Sequence, residues 1–368
     1  MTSIEINKNR ADFTEANNID TNLTVLMSVY NGEKFLKKSI DSVLSQSYSD
    51  FEFLIINDGS SDNSEIIIKE YSDKRIRYIC NDENIGLIAS LNKGIELSKG
   101  KYIARQDADD IACNKRFEMQ MRFLEDNPNV SVVGSWISLI DKNDNIITHW
   151  KYPTSPIVAR WALLFNSAIA HSASMFRRNE VKKINGYSSE YKYAEDFEMW
   201  SRLNKNSDIC NIAEVLQLYR VHDNAVSTLK NNDQVNVMRK ISFNNLNELL
   251  KNDLKPESIS LLTDSKLVKN TAQARDYICS MNILFNIFSD KFELQNEKSE
   301  ILNSMLEKIS TLICNFNFKD RLYILVVTYN ALPSIFWTRL KFINLLLSES
   351  SKKKIKKLIG IRHTDLTR

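Results

Sequence analysis

Short apolar runs alternate along the first part of the chain with longer segments in which apolar residues recur every three or four positions. The first run spans residues 23–29 and precedes an amphipathic segment with helical spacing. Similar runs follow at residues 51–56, 75–80 and 101–105, and the first two of these also precede helical patterns. This alternation predicts βα units and an α/β fold with a mixed, mostly parallel sheet covered by helices.

The pattern changes after an acidic cluster at residues 107–110. A helix is predicted around residues 116–125, followed by a hairpin over residues 130–150 that turns at residues 141–144. Beyond Thr228 strand signals fade, and long segments rich in Leu, Ile, Asn and Lys predict helices. The sequence therefore predicts three parts, namely a polar tail (1–21), an α/β domain (22–230) and a helical C-terminal region (231–368).

The composition is that of a folded protein and argues against nucleic acid as a partner. Of 368 residues, 43% are hydrophobic, which is enough for a large core. The 49 basic and 46 acidic side chains leave a net charge of +3, so the chain lacks the positive field expected of a nucleic-acid-binding protein. Five cysteines without a CxxC pair indicate neither a disulfide framework nor a thiolate metal site. Because the N-terminus has no signal-peptide pattern and no apolar run reaches about 20 residues, we expect a cytoplasmic protein.

Polar residues follow the predicted strands, at the place where parallel α/β sheets bind ligands. After the fourth strand, Asp107 and Asp109 are separated by one residue, so both carboxylates of an extended segment would point into one cleft. Such a pair can share a hard divalent cation, which would also bind a diphosphate. The alternative is that both are ordinary loop and capping residues, since short acidic motifs are common.

Asp58 ends the second strand and is followed by Gly59. Its carboxylate can accept a hydrogen bond from an N–H group of a nucleobase such as uracil. The alternative is an Asp-Gly turn, which needs no ligand.

A second acidic pair, Glu195 and Asp196, opens an amphipathic segment that contains Phe197 and Trp200. Carboxylates in a first helical turn are favoured by the helix dipole, so the pair can be purely structural. A carboxylate beside a buried aromatic ring can instead have a raised pKa and act as a general base. We assign that role to Asp196, with Glu195 as its helper or substitute.

Arg220 and His222 follow an apolar strand and are placed to contribute a cation and an imidazole to the same cleft. We predict that Arg220 binds the substrate there. For His222 a structural role is the alternative to a ligand-binding one. The same alternative applies to His171 in the segment IAHSASMFRR.

Each motif is weak, but the order of the motifs is specific. The segments are SVYNGEKF, INDGSSDNS, NDENIGLIASLNKG, RQDADD, AEDFEMW and YRVHDNAVS. In this order they resemble the family 2 glycosyltransferases, which have the GT-A fold, and particularly the bacterial enzymes of O-antigen and capsule assembly. The resemblance covers residues 22–228.

The resemblance implies an inverting glycosyltransferase that moves a sugar from a nucleotide diphosphate sugar, with UDP preferred, to a hydroxyl of a glycan acceptor. An acceptor linked to a lipid such as undecaprenyl diphosphate would fit surface polysaccharide synthesis. The resemblance also implies Mg²⁺ or Mn²⁺ as the cofactor.

Individual residues match functional positions of the family. Tyr30, Asn31 and Asp58 match nucleotide-binding positions, with Asp58 on the base. Asp107 matches the residue near the ribose and the metal, and Asp109 matches the main metal ligand.

Two further matches complete the set. Asp196 matches the catalytic base, and His222 matches a position near the metal or the diphosphate. The chain departs from many relatives at Leu91, where they carry arginine, and at Asn114, where they carry proline. An arginine contact to the phosphate or the base is therefore not expected at position 91.

The C-terminal region from residue 321 to residue 347 is rich in aromatic and aliphatic residues, and lysines follow at residues 352–357. This pattern fits peripheral binding at an anionic inner-membrane surface. It fits equally well a helix packed on the rest of the protein with a solvated lysine tail.

Two other functions share a nucleotide-binding α/β sheet. A sugar nucleotidyltransferase would carry a glycine-rich phosphate loop after the first strand, and SVYNGEKF fits such a loop poorly. A non-catalytic GT-A-like binding subunit would not need the acidic residues at positions 58, 107, 109 and 196, all of which are present.

Overall fold

The computed structural model describes residues 21–222, 231–251 and 253–331. The chain divides into two compact units. The first contains Met1–Ala159 and Ser167–Val237, and the second contains Arg160–Asn166 and Met238–Arg368. The short segment Arg160–Asn166 thus belongs to the second unit, whereas the predicted boundary at residue 230 places it in the first.

The first unit begins with the predicted βα units. Their strands are β1 (Leu23–Val29), β2 (Phe51–Asn57), β3 (Ile76–Cys80) and β4 (Tyr102–Asp107). The helices between them are α1 (Glu33–Leu44), α2 (Ser64–Lys69) and α3 (Leu87–Leu97). The four strands pair in parallel in the order β3-β2-β1-β4, so their carboxyl ends lie along one edge of the sheet.

The second half of this unit is antiparallel for the most part. Its elements are β5 (Ile111–Ala112), α4 (Arg116–Asp126), β6 (Val130–Ile140), β7 (Ile146–Trp150), α5 (Pro156–Ala162), β8 (Met175–Arg177), α6 (Arg178–Lys183), α7 (Glu195–Leu203) and β9 (Asp208–Arg220). The described strands form one sheet in the order β3-β2-β1-β4-β8-β6-β9-β5, with β7 paired to β6. The expected mixed α/β sheet and the β6–β7 hairpin are confirmed.

Helices on both faces keep the central strands buried, which explains their continuous apolar sequences. On one face, Val25 and Met27 of β1 belong to a core cluster with Leu36 of α1 and Phe117 of α4. On the other face, α3 approaches so closely that Gly94 faces the Leu26 side chain. The sheet is therefore a rigid support for the polar residues at its carboxyl edge.

The second unit is helical. Its described helices are α8 (Asn231–Leu250), α9 (Pro256–Thr263), α10 (Thr271–Phe292), α11 (Lys298–Cys314) and α12 (Phe318–Ala331). Trp161 packs edge-on against Phe165 and Phe288, and its indole N–H donates to Ser304 Oγ at 3.3 Å. In the described part of the chain, no helix combines the length and the hydropathy that a membrane span requires. The predicted tail up to residue 20 and the basic segment 332–368 lie outside the described residues.

The close approach of Gly100 to β1 gives a test of this packing. A Cβ atom at Gly100 would lie 2.4 Å from the backbone nitrogen of Thr24 and 2.6 Å from the carbonyl carbon of Leu23. Because backbone atoms must move, we expect Gly100→Ala to lower the free energy of unfolding by about 1–3 kcal/mol in urea denaturation. Gly32→Ala, whose Cβ would meet only side-chain atoms, the nearest being Val29 at 3.2 Å and Ala108 at 3.4 Å, is the milder control. Equal stability of the two variants would contradict the packing.

Candidate active site

Three carboxylates converge where β4 ends. Ligand oxygens of Asp107, Asp109 and Asp110 all lie within 4.8 Å of one another. The extended backbone stops at Asp107 and a turn follows, so the geometry differs from the extended Asp107-to-Asp109 segment that the sequence suggested. The turn places Asp110, for which the sequence predicted no role, in the same cluster.

The environment of this cluster disfavours three negative charges. Burial raises the pKa of Asp107, with Arg105 opposing the shift and Asp109 adding to it. Burial, together with the charges of Asp109 and Asp107, raises the pKa of Asp110 well above its usual range. A divalent cation would relieve this repulsion, and an all-oxygen carboxylate set is the kind that Mg²⁺ and Mn²⁺ prefer. The residues therefore fit such an ion.

His222 joins the same cluster. Its Nε2 lies 2.9 Å from Asp109 Oδ2, and its ring packs against the ring of Phe35 at a centroid distance of 5.1 Å. The imidazole is therefore held beside the carboxylate for which the sequence predicted the main metal contact.

Arg105, for which the sequence predicted no role, supplies a buried positive charge next to the cluster. Its side chain is 1% exposed and forms an ion pair with Asp107 at 2.7 Å. Within the described part of the chain, its Nε and Nη1 atoms have no hydrogen-bond partner. A charged residue inside the apolar run of β4 was the available signal, because such residues are almost never buried without a partner.

Arg116, on α4, is a second buried arginine below the acidic turn. Its Nη1 donates to Gln106 Oε1 and Gln217 Oε1 at 2.9 and 2.8 Å, and its Nη2 donates to the Arg105 carbonyl oxygen at 2.6 Å. Burial lowers the pKa of Arg116 to about 9. These contacts join α4, β4 and β9, so the end of β4 is fixed from below.

Arg220, which we predicted to bind the substrate, is enclosed within the protein. Its side chain forms an ion pair with Asp144 at 2.6 Å and donates to the carbonyl oxygens of Asp109 and Asp141, both at 2.8 Å. Its backbone N–H donates to Asp110 Oδ1 at 2.7 Å. In this arrangement Arg220 links the β6–β7 turn to the acidic turn, and substrate contact by Arg220 stays a prediction.

Tyr30 and Asn31 lie at the end of β1, on the same edge of the sheet. The Tyr30 side chain is 54% exposed and is therefore accessible to a ligand. Asn31 has a positive φ of 51°, and its Oδ1 accepts a hydrogen bond from the Ser61 backbone N–H at 2.9 Å. This bond joins the loops that follow β1 and β2.

Asp58 is buried and holds the loop after β3. Its Oδ1 accepts from Asn81 Nδ2 at 2.8 Å and from the Ile85 N–H at 3.0 Å, while Oδ2 accepts from the Gly86 N–H at 2.9 Å. Gly59 has a φ of +69°, as expected for an Asp-Gly turn. Asp58 thus shapes this edge of the sheet, and its contact with a nucleobase stays a prediction.

The Glu195–Asp196 pair lies in the first turn of α7, as the sequence suggested. Burial raises the pKa of Asp196 to about 6, and burial together with the Asp196 charge raises the pKa of Glu195 to about 7. Ser167 Oγ lies 3.5 Å from Asp196 Oδ2. Asp196 is therefore a carboxylate with a shifted pKa, which is the property required of a general base near neutral pH.

Tyr187 connects the two acidic groups electrostatically. Burial raises the pKa of its phenol, and the charges of Asp196, Glu195 and Asp107 add to this effect while Arg105 opposes it. The Tyr187 hydroxyl lies 2.7 Å from Nε2 of His171, whose pKa is lowered well below its usual range by burial and by Arg105. His171 is thus a neutral partner of Tyr187, and the acidic groups at the end of β4 and the start of α7 share one neighbourhood.

Known proteins are similar to this chain in sequence and in fold. The model of the family described as "Glycosyl transferase family 2" matches residues 24–185. An uncharacterized glycosyltransferase of Haemophilus influenzae is 35% identical over 257 residues, covering 65% of this chain and 79% of the relative. The O-antigen biosynthesis glycosyltransferase WbnJ of Escherichia coli is 34% identical, covering 55% of this chain and 80% of the relative.

A more distant relative has a more specific name. It is the UDP-Glc:alpha-D-GlcNAc-diphosphoundecaprenol beta-1,3-glucosyltransferase WfgD of E. coli, which is 28% identical over 210 residues, covering 56% of this chain and 80% of the relative.

Solved structures share the fold. TarS residues 1–349 of S. aureus in complex with UDP-GlcNAc have a TM-score of 0.52 at 16% identity, covering 86% of this chain and 90% of TarS 1–349. The mannosyltransferase PcManGT of Pyrobaculum calidifontis in complex with GDP-Man and Mn²⁺ has a TM-score of 0.50 at 12% identity, covering 84% of this chain and 87% of the other. At these identities the likeness shows the fold alone, and it confirms the expected GT-A type.

The two roles considered for Arg220 differ in what its replacement does. If Arg220 holds the two turns together, Arg220→Met should lower the free energy of unfolding by roughly 2–3 kcal/mol, because three acceptors lose their cation. Arg122→Met is the matched control, since Arg122 is 84% exposed and lies 3.7 Å from Asp126. Urea denaturation of both variants decides between the roles. Unchanged stability of Arg220→Met with a raised KM for the donor would make Arg220 a substrate ligand.

Proposed function

The chain belongs to glycosyltransferase family 2, and we propose that this glycosyltransferase moves a sugar from a nucleoside diphosphate sugar to a hydroxyl of a glycan acceptor in surface polysaccharide synthesis. The observation that carries the proposal is that two acidic clusters act on Tyr187 together with Arg105. One cluster is the acidic turn after β4, and the other is the Glu195–Asp196 pair at the start of α7. The name of WbnJ, an O-antigen biosynthesis enzyme, supports the polysaccharide assignment.

We infer that the donor is a UDP-sugar. WfgD is named for its use of UDP-Glc, and the similar TarS structure contains UDP-GlcNAc. Tyr30, Asn31 and Asp58 would hold the nucleoside at the carboxyl edge of β1 and β2. The exposed ring of Tyr30 offers an apolar surface for the base.

We infer that Mg²⁺ or Mn²⁺ binds to Asp109 and Asp107, with His222 next to them. The three carboxylates fit a hard cation, and Mn²⁺ is present in the PcManGT structure. Once bound, the cation would neutralise the diphosphate as it leaves. Arg105 opposes the rise in the pKa of Asp107 and orients its carboxylate through their ion pair at 2.7 Å.

Asp196 is the proposed general base of a single in-line displacement with inversion. Its pKa of about 6 leaves it deprotonated at neutral pH, so that it can take the proton from the acceptor hydroxyl. Glu195, with a pKa of about 7, is protonated in part at the same pH and is the weaker candidate for this step.

For the acceptor we propose a glycan linked to undecaprenyl diphosphate, at the cytoplasmic face of the inner membrane. The name of WfgD specifies such a lipid-linked acceptor. The segment that we expect at the membrane surface, residues 332–368, lies outside the described residues. Of the alternatives, family membership argues against a sugar nucleotidyltransferase, and the shifted carboxylates argue against a non-catalytic subunit.

The metal assignment is tested by nucleotide binding. We expect Mn²⁺ to strengthen UDP binding to the wild type and Asp109→Ala to lose most of that enhancement, because the mutant lacks the main cation ligand. Isothermal titration calorimetry with and without Mn²⁺ measures this effect. Asp126→Ala, at an exposed carboxylate on α4, is the control and should keep the enhancement. Identical Mn²⁺ dependence in Asp109→Ala and wild type would remove Asp109 from the metal site.

The pKa of Asp196 sets the expected pH dependence. The base works only when deprotonated, so kcat/KM for transfer should be nearly constant above about pH 7. Below about pH 6 it should fall by about tenfold per pH unit. A pH–rate profile with the best donor from a screen of nucleotide sugars measures this. A profile that is flat down to pH 5 would exclude Asp196 as the base.

Two variants identify the base in the same assay. Asp196→Asn should keep UDP affinity and lose transfer by roughly 10²-fold or more. Glu195→Gln should lose less. The reverse order of losses would assign the base to Glu195.

A further inference from the structure

The edge strand β7 presents an unusual surface. In the described part of the chain it pairs only with β6, and all five of its residues are exposed, including Trp150 at 50%. The strand carries no acidic residue, lysine or arginine. Large exposed aromatic side chains on an uncharged surface commonly mark a binding site.

The strand register shows which face of the sheet carries Trp150. Trp150 lies directly opposite Ile137 of β6, and side chains of directly opposed residues lie on the same face. Ile137 and Leu139 belong to a small cluster with Ala170, against which the partly buried Tyr152 packs. The rings of Trp150 and Tyr152 are therefore on the same side of the hairpin.

Tyr152 in turn lies beside the proposed base. Asn211 Nδ2 donates to the carbonyl oxygens of Pro153 and Ala168, at 2.8 and 2.9 Å, and so joins the segment after Tyr152 to the segment that carries Ser167. Ser167 Oγ lies 3.5 Å from Asp196 Oδ2. Burial raises the pKa of the Tyr152 phenol, and the negative charge of Asp196 adds to the shift.

The rings of Tyr152 and Trp150 thus lie on one side of the hairpin, and Tyr152 is close enough to Asp196 for that charge to raise the pKa of its phenol. The acceptor hydroxyl must come within hydrogen-bond reach of the base, so the sugar that bears it must rest on the surface next to Asp196. Binding sites for small ligands combine aromatic walls with a few polar groups, and the apolar C–H face of a pyranose suits the face of an aromatic ring.

We propose that Tyr152 and Trp150 form the acceptor subsite, with the reacting pyranose against Tyr152 and the next sugar of the glycan against Trp150. The inference rests on the proposed function, since it takes Asp196 as the group that meets the acceptor.

The test compares Trp150→Ala and Trp150→Phe in the full-length protein. His149→Ala is the matched control, because His149 is the neighbouring exposed residue and its side chain lies on the opposite face, next to Ser138. The probes are methyl β-glycosides of glucose, galactose and their N-acetylamino forms, and the corresponding disaccharides. Transfer to each probe and hydrolysis of the donor are measured in the same samples.

We expect Trp150→Ala to raise KM for the disaccharides by roughly five- to tenfold and to lower the ratio of transfer to hydrolysis. Trp150→Phe should restore most of the loss, and His149→Ala should match the wild type. A wild-type KM for disaccharides in Trp150→Ala would overturn the subsite, as would an equal loss in His149→Ala.

Failure of the proposed function would look different. If the wild type neither hydrolyses nor transfers any nucleotide sugar, the proposed function fails, and the subsite is then judged by binding alone. Saturation-transfer NMR with the same disaccharides should show contact with the wild type that Trp150→Ala loses. No contact with the wild type, or equal contact with both proteins, would overturn the subsite.

Discussion

Three carboxylates lie close together at the end of β4, and the repulsion among them determines which groups must surround them. Asp107, Asp109 and Asp110 lie within 4.8 Å of one another, in an environment that raises the pKa of two of them. Such a cluster is costly unless positive charge surrounds it. Arg105 and Arg220 provide that charge from within the protein, through an ion pair to one carboxylate and hydrogen bonds to the turn that carries the others.

The fold makes this arrangement possible because it joins two kinds of sheet. The parallel strands β1, β2 and β4 bring the loops that carry Tyr30, Asp58 and the acidic turn to one edge. The antiparallel strand β8 then pairs with β4, and the chain that follows it leads to α7 and the Glu195–Asp196 pair. The residues proposed to bind the donor and the pair proposed to act on the acceptor therefore come from different parts of the chain.

Local sequence signals predicted most of the first unit. Apolar periodicity located the strands and helices up to residue 150 except the two-residue strand β5, and the paired aspartates indicated a cation site because their spacing is itself a local signal. The exact backbone was not predictable, since a turn replaces the expected extended segment and brings in Asp110.

Long-range contacts account for what the sequence missed. Arg116 and Tyr187 act through partners distant in sequence, such as the bond from Arg116 to Gln217. The same limit applies to Arg220. Its position after a strand suggested substrate contact, and the sequence did not show that its partners in the protein lie in two turns. A role for Trp150 can be inferred only from the strand register, which places its side chain on the face that carries Tyr152.

A crystal structure of the protein with UDP and Mn²⁺ would show whether the acidic turn holds the cation. We expect anomalous density for one Mn²⁺ in contact with Asp109 and the diphosphate, with the Asp196 carboxylate open to the space where the sugar would lie. Mn²⁺ bound away from the acidic turn, or UDP bound at another edge of the sheet, would contradict it.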